Sequence, residues 1–180
     1  MVAVRGEARG PESAIVIPVP DTGPVIEGWR RRLDPESYPL APAHITLLYP
    51  FLDPDQITDG VVEDLARLLS SFGKFDYSLD HLDWFDDRVL YVAPEPAEQF
   101  IGLTTALVGR WPQCLPYGGT FSQVVPHLTV GKTPCEIPLE SAAAEIAREL
   151  PIHTRAEEVW LMTAELPAGW SVIAKFPLAD

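Results

Sequence analysis

Cysteine is nearly missing from this chain: 180 residues hold only Cys114 and Cys135. With no CxxC pair and no spaced framework, neither a disulfide-stapled fold nor a cysteine-built zinc site organises the protein. Free thiols in a reducing cytoplasm are expected, with a disulfide between the two left open. Long apolar runs are missing too, and nothing approaches the length of a membrane span. The run Ala14–Pro20 is too short for a signal-peptide core and contains Pro18. No membrane partner and a cytoplasmic location follow as expectations. Positive charge is the third shortage: 13 Lys and Arg stand against 26 Asp and Glu, a formal net charge of −13. Proteins that track a long RNA backbone meet its phosphates with Lys and Arg, so a long nucleic-acid track is not expected here. A focused positive pocket remains compatible with this balance.

Proline is abundant instead, at 19 residues, which breaks the chain into many short elements. Hydrophobic residues at 47% and aromatics at 9% fit a globular chain. A loose tail over 1–12 and one bilobal domain over 13–180, monomeric, are expected.

One short pattern occurs twice. Pro42 precedes Ala43-His44-Ile45-Thr46-Leu47-Leu48-Tyr49, and Pro126 precedes His127-Leu128-Thr129-Val130-Gly131-Lys132. Such runs read as strands, and side chains two apart on a strand share a face. His44 and Thr46 then point one way, as do His127 and Thr129. A lone His-x-Thr is ordinarily a satisfied structural pair. Two copies 83 residues apart, a little under half the chain, instead suggest a duplicated half-domain with the motifs meeting at a pseudo-two-fold axis.

The remaining pattern fits that grammar. Ala14–Pro20 reads as a strand and Val25–Leu33 as a helix; Arg30, Arg31 and Arg32 near its end are either a phosphate patch or a solvated terminus. Pro35, Pro39 and Pro42 mark an extended loop that can rim a site. Val61, Leu65, Leu68 and Phe72 make a helical face capped by Asp53 or Asp55 and closed by Gly73. Phe75, Tyr77 and Leu79 alternate as a strand, and the slip in parity to Leu82 and Trp84 predicts a bulge near His81. Asp86-Asp87 turns the chain back into Arg88–Ala93. Phe100, Leu103, Leu107 and Trp111 form a third helix, and a loop over Cys114–Gln123 delivers the second motif. Leu139, Ala143, Ile146 and Leu150 form a fourth helix, ended by Pro151. Ile152–Leu166 and Trp170–Leu178 are expected as a closing hairpin. His81 lacks a hydroxyl at +2 and is expected to have a structural or surface role; His153 is followed directly by Thr154, which would face the opposite side of a strand, so it lacks the motif's geometry. The sum is α+β: two pseudo-symmetric strand-rich lobes, helices outside, a central cleft carrying both motifs.

The paired motifs, with Tyr49 and Lys132 following them, resemble the 2H phosphoesterase superfamily, which includes 2′-5′ RNA ligase-like proteins and cyclic nucleotide phosphodiesterases. Leu90–Pro96 and Pro116-Tyr117-Gly118-Gly119 are similar to its bacterial branch, and the likeness spans roughly Ala14 to Leu178. The resemblance implies His44, Thr46, His127 and Thr129 as catalytic residues and a small nucleotide or RNA end as substrate.

The residues support such chemistry directly. Near neutral pH an imidazole can be base or acid. One neutral histidine takes a proton from the attacking hydroxyl and one protonated histidine gives a proton to the departing oxygen. The threonine hydroxyls donate to non-bridging phosphate oxygens. The scheme needs no cofactor or metal, and no His-x-His or His-Glu-x-x-His spacing suggests one. Tyr49 and Phe121 either stack a base or pack in the core. Lys132 can neutralise a phosphate, but regular alternation points it to the face opposite His127 unless the strand ends or twists near Gly131. Tyr117 is a loop candidate. The readings left open are hydrolysis of 2′,3′-cyclic phosphates or 2′-5′ bonds, a 2′-5′ RNA ligase-type reaction, and a non-catalytic nucleotide-binding module.

Overall fold

The structure is a computed structural model and describes residues 12–33, 42–120, 123–165 and 169–180. The expected tail up to residue 11, the proline-rich loop before the first motif except Pro42, and Phe121 fall outside the described residues, and Glu12, expected in the tail, begins the first strand.

Eight strands and four α-helices follow one another along the described chain: β1 (Glu12–Pro18), α1 (Gly23–Leu33), β2 (His44–Leu48), α2 (Asp59–Leu69), β3 (Phe75–Phe85), β4 (Val89–Glu95), α3 (Glu98–Arg110), β5 (Leu128–Lys132), α4 (Leu139–Ile146), β6 (Ile152–Ala156), β7 (Glu158–Glu165) and β8 (Gly169–Pro177). They form two four-stranded sheets ordered β2-β1-β7-β8 and β5-β4-β3-β6. Each motif strand is therefore an edge strand, paired antiparallel to the strand that begins its own half, β1 or β4. The third position in each sheet is filled from the other half of the chain. After α2, β3 joins the second sheet; after α4, β7 joins the first. The expected α+β architecture of two strand-rich lobes is what the chain adopts.

The large core cluster draws on both sheets and all four helices. Ile15, Ile17, Ile45 and Leu47 come from the first sheet, Leu79, Leu90, Leu128 and Val130 from the second, and Ile26, Leu65, Leu103 and Ile146 from the helices. These positions follow the periodicities of two and of three to four that the sequence shows. The opposite face of the first sheet carries a small second cluster of Ala14, Val16 and Met162, against which Tyr49, Trp160 and Trp170 pack. The side chains of the first motif, His44 and Thr46, belong to that face.

Several expectations need correction. Residues Pro54–Gln56 form a 3₁₀ turn of their own, so neither Asp53 nor Asp55 caps α2; Thr58 does, its hydroxyl accepting from the Val61 N–H at 3.4 Å. That helix stops at Leu69, before Gly73, and α4 ends at Ile146 rather than at Pro151. The stretch expected as one long strand from Ile152 breaks at Glu157, whose carbonyl accepts the Leu178 N–H at 2.9 Å. The chain swivels there, and β6 and β7 enter different sheets. The slip near His81 is present as a register shift between Leu79 and His81. Asp86 and Asp87 both adopt left-handed conformations, φ 49° and 54°, in the turn to β4. Arg30 and Arg32 of α1 are drawn to different partners rather than into a shared patch. Arg32 lies 3.6 Å over the Trp29 ring, whose indole N–H donates to Glu145 on α4, and Arg30 sits 3.3 Å from Glu27. Cys114 and Cys135 are both free thiols. Among the described residues no helix is long and apolar enough to cross a membrane.

Candidate active site

The two motif strands carry the same irregularity. In β2, Thr46 pairs with Val16 but Leu48 pairs with Ile15, so Leu47 is an extra residue in the ladder. In β5, Thr129 pairs with Tyr91 but Gly131 pairs with Leu90, so Val130 is extra. A bulge reverses the alternation beyond it. Consecutive buried pairs result, Leu47-Leu48 and Val130-Gly131. The residue five places after each histidine, Tyr49 or Lys132, comes round to the face of the His and Thr. The twist on which Lys132 depended is this bulge. In the first strand the bulged Leu47 carbonyl is taken by the hydroxyl of Thr104 on α3, at 2.9 Å, which accounts for a threonine buried in the core.

Both imidazoles are pinned in the same way. His44 Nδ1 lies 2.7 Å from the Pro42 carbonyl and His127 Nδ1 lies 2.7 Å from the Val125 carbonyl, each two residues upstream. A carbonyl only accepts, so Nδ1 carries the proton in both rings and Nε2 is left to act as base or, once protonated, as acid. His127 itself precedes the first residue of β5, and the Val125 carbonyl fixes its ring. Burial lowers the pKa of His44 below its ordinary value. The Pro42 carbonyl opposes that shift, and the positive charges of Arg30 and His127 add to it. Burial likewise lowers His127, against the Val125 carbonyl.

Tyr117 connects the motifs. It is held at φ 51° and ψ 36°, a left-handed backbone that costs a non-glycine residue energy, and its N–H donates to the Tyr49 carbonyl at 2.6 Å. Its phenol bonds with Thr46, which partly offsets the rise in pKa that burial imposes. Its ring lies nearly parallel to that of His127, 6.3 Å between centres at 27°. Tyr49 stands edge-on to Tyr117 and to Trp170, and its hydroxyl donates to Glu12 at 2.7 Å, so it packs on the small cluster of the motif face. Of the residues singled out in the sequence, Thr46, Tyr49 and Tyr117 are thus linked by contacts, and Tyr117 reaches His127; His44 is two residues from Thr46 on β2 and feels the charge of His127. Thr129 is exposed on the same face as His127, and Lys132 lies beyond it.

Phe85 and Tyr91 were missed in the sequence. Their rings stack at 4.3 Å and 23°, and both meet His127 edge-on, at 4.9 Å and 5.4 Å. Tyr91 donates to Asp83 at 3.2 Å; burial first, then that carboxylate, pushes its phenol up to about 12. The alternation of β4 could have found Tyr91, which lies opposite Thr129.

A cavity of about 450 Å³ opens beside His127, lined by Phe85, Arg88, Val125 and Lys132 among others. The larger described cavity, about 620 Å³, is lined by Pro18, Arg30, Pro42, Arg155 and Trp160 and by neither motif histidine. The smaller one adjoins the second motif. Among the described residues no three His, Cys, Asp or Glu side chains gather into a metal-ligand set.

The family described as the 2′-5′ RNA ligase superfamily matches residues 18–166, from the end of β1 through β7, and so spans both motifs. The chain belongs to this superfamily. A Bacillus cereus (strain G9842) protein named "Putative phosphoesterase BCG9842_B4061" is 30% identical over 112 residues, 58% of this chain. The match spans 59% of that relative's length. Solved structures share the fold. Escherichia coli LigT complexed with 3′-AMP aligns over 96% of this chain and 100% of its own, with TM-score 0.56 and 16% identity. TT0787 of Thermus thermophilus aligns over 92% and 97%, with TM-score 0.63 and 19% identity. The superfamily fold thus carries, in this chain, two pinned imidazoles, one at the start of a bulged edge strand and one immediately before another.

Proposed function

We propose that the protein is a metal-independent phosphoesterase that opens cyclic phosphates, 2′,3′-cyclic ends above all, or cleaves 2′-5′ bonds, in small nucleotides or RNA ends. The observation that carries this reading is the matched pinning of His44 and His127, each with Nδ1 committed to a backbone carbonyl and Nε2 left for proton transfer. One Nε2 removes the proton of the attacking water while the other, protonated, delivers a proton to the departing ribose oxygen. Thr46 and Thr129 donate to the non-bridging oxygens, where charge concentrates in the transition state. Thr46 must first exchange its bond to Tyr117 for one to phosphate, so Tyr117 stands where substrate enters.

Superfamily membership supports phosphoester chemistry, and solved LigT complexes contain 3′-AMP, ATP and NADP+, small nucleotides that suit a confined cleft. The same two histidines can run the reaction backwards as a ligase, but the net charge of −13 disfavours docking a long RNA. The test is turnover of nucleoside 2′,3′-cyclic phosphates and 2′-5′-linked dinucleotides by the purified protein with chelator present. Hydrolysis that persists in chelator supports the reading. Hydrolysis abolished by chelator and restored by a divalent ion overturns metal independence, and nucleotide binding without turnover favours a binding module.

A further inference from the structure

The two lobes repeat each other in backbone but not in charge. The bulge brings the residue five places after each motif histidine onto the catalytic face. In the first lobe that residue is Tyr49, tied to the carboxylate of Glu12 at 2.7 Å. In the second it is Lys132, which makes no ion pair among the described residues. Directly across the ladder from Lys132 is Val89, and the residue before it is Arg88. The backbone there is firmly placed: Arg88 N–H donates to the Phe85 carbonyl at 2.9 Å, and the Arg88 carbonyl accepts from Thr133 N–H at 2.8 Å. The Arg88 guanidinium has a loose neighbour, Asp86, at 3.7 Å, with side chains 72% and 82% exposed. Such a pair holds little energy and yields easily to a better anion.

Lys132 and Arg88 both line the cavity beside His127, together with the apolar Phe85, Val89 and Val125 and with Asp86, the exposed neighbour of Arg88. Its volume of about 450 Å³ lies within the range of small-ligand sites. Two cations around one recess stand out in a chain with twice as many acids as bases. Along the strand, Lys132 is about 13 Å from His127, five residues less the one taken up by the bulge. Its ammonium therefore meets a group about one nucleoside away from the reacting phosphate rather than the reacting phosphate itself.

We propose that this recess is a subsite for a second phosphate on the substrate, held by Lys132 and Arg88, with the intervening nucleoside lying against Phe85. The assignment rests on the proposed reading of the site and gives the substrate a polarity: its additional anionic group lies on the His127 side, where the cations are, and not on the Tyr49 side. The second phosphate is either a terminal 5′-phosphate of a mononucleotide or the next phosphodiester of a short oligonucleotide.

Equilibrium binding tests this without turnover. The probes are adenosine 3′-monophosphate, adenosine 3′,5′-bisphosphate and a dinucleotide ending in a 3′-phosphate, titrated calorimetrically. The wild-type protein should bind one of the two doubly phosphorylated probes about tenfold more tightly than the monophosphate, because a charge-assisted contact to phosphate is worth about one decade. Preference for the bisphosphate assigns a terminal phosphate; preference for the dinucleotide assigns an internal one. The advantage should collapse in Lys132→Ala and Arg88→Ala. It should grow in Asp86→Asn, which removes a nearby negative charge and suits the left-handed backbone at that position. Equal affinity of all three probes for the wild type, or an advantage that survives both cation removals, overturns the subsite. Absent turnover of cyclic phosphates with the bisphosphate preference intact would instead count against the hydrolase reading alone.

Discussion

Gly131 sits at the point where α1 meets the bulged motif strand, and replacing it with alanine should show how tightly the second motif is clamped. A Cβ at this position would lie 2.7 Å from Leu33 Cδ1, 3.0 Å from Leu139 Cδ2 and 3.1 Å from Leu33 Cβ. The two methyl groups can rotate away. Leu33 Cβ cannot, because it is fixed to the α1 backbone, so the helix itself must move. Overpacking of a full core in this way costs about 1–3 kcal/mol. For a chain of this length each kcal/mol lowers Tm by about 2–4 °C, so Gly131→Ala should melt about 2–12 °C below the wild type by circular dichroism. The clash has a named partner, which permits a sharper measurement. In a Leu33→Ala background the Cβ of residue 33 remains but the branched end is gone, and α1 has room to settle. The glycine substitution should then cost less than it does alone, with a coupling of about 0.5–3 kcal/mol. A Gly131→Ala protein that melts within about 1 °C of wild type, or a double variant whose losses simply add, would refute the argument.

The other expectations concern the cleft. His44→Ala and His127→Ala should each reduce turnover of a cyclic nucleotide at least about a hundredfold in folded protein, the usual contribution of general acid–base catalysis; near-wild-type rates in either would rule out the two-histidine scheme. Because both imidazoles are held below their ordinary value of 6.5, the bell-shaped profile of kcat/KM should peak on the acid side of that pH, and a peak at about pH 8 or above would contradict it. The same shifts bear on folding. Between 6.5 and the lower folded values the unfolded chain binds more protons, so stability falls as pH drops through that window. The loss, read from urea unfolding at two pH values, should shrink when both histidines are replaced by asparagine. A short cyclic-phosphate dinucleotide should bind as well as, or better than, a tRNA-sized RNA, with a shallow salt dependence, since few phosphates are engaged; tight binding of the large RNA with a steep slope would favour the ligase reading instead.

Much of this is legible in the sequence because it is local. The strand around His44, the helix bearing Ile26 and Trp29, and the slip near His81 all follow from side-chain periodicity within a dozen residues. The paired His-x-Thr repeats stand out on the same local scale. What escapes is set by partners distant in the chain. Nothing near Glu157 announces that β6 and β7 part company there, because the choice of sheet depends on β3 and β1. The face taken by Lys132 could be stated only as a condition, since a bulge at Val130 is visible in the pairing with β4 and not in the strand alone. Phe85 and Tyr91 read as ordinary strand aromatics until the fold brings them against His127. Arg32 reads as a cation at a helix end, whereas its guanidinium covers Trp29 on the α1–α4 side.

The exchange of β3 and β7 between the sheets bears on whether either half of the molecule could exist by itself. A break in the backbone at Asp86-Asp87 would part the chain almost at its midpoint, leaving one piece with β1, β2 and β3 and the other with β4 to β8. The first piece would carry His44 on a two-stranded ribbon, with β3 cut off from its neighbours. The second would carry His127 on the β5-β4 ribbon, separated from β6 by the vacant place of β3, while β7 and β8 had no β1 to join. A two-stranded ribbon is marginal in water. Each half supplies the middle of the other's sheet, so the two motifs become rigid together or not at all, and the interlaced halves cannot be separated without losing both.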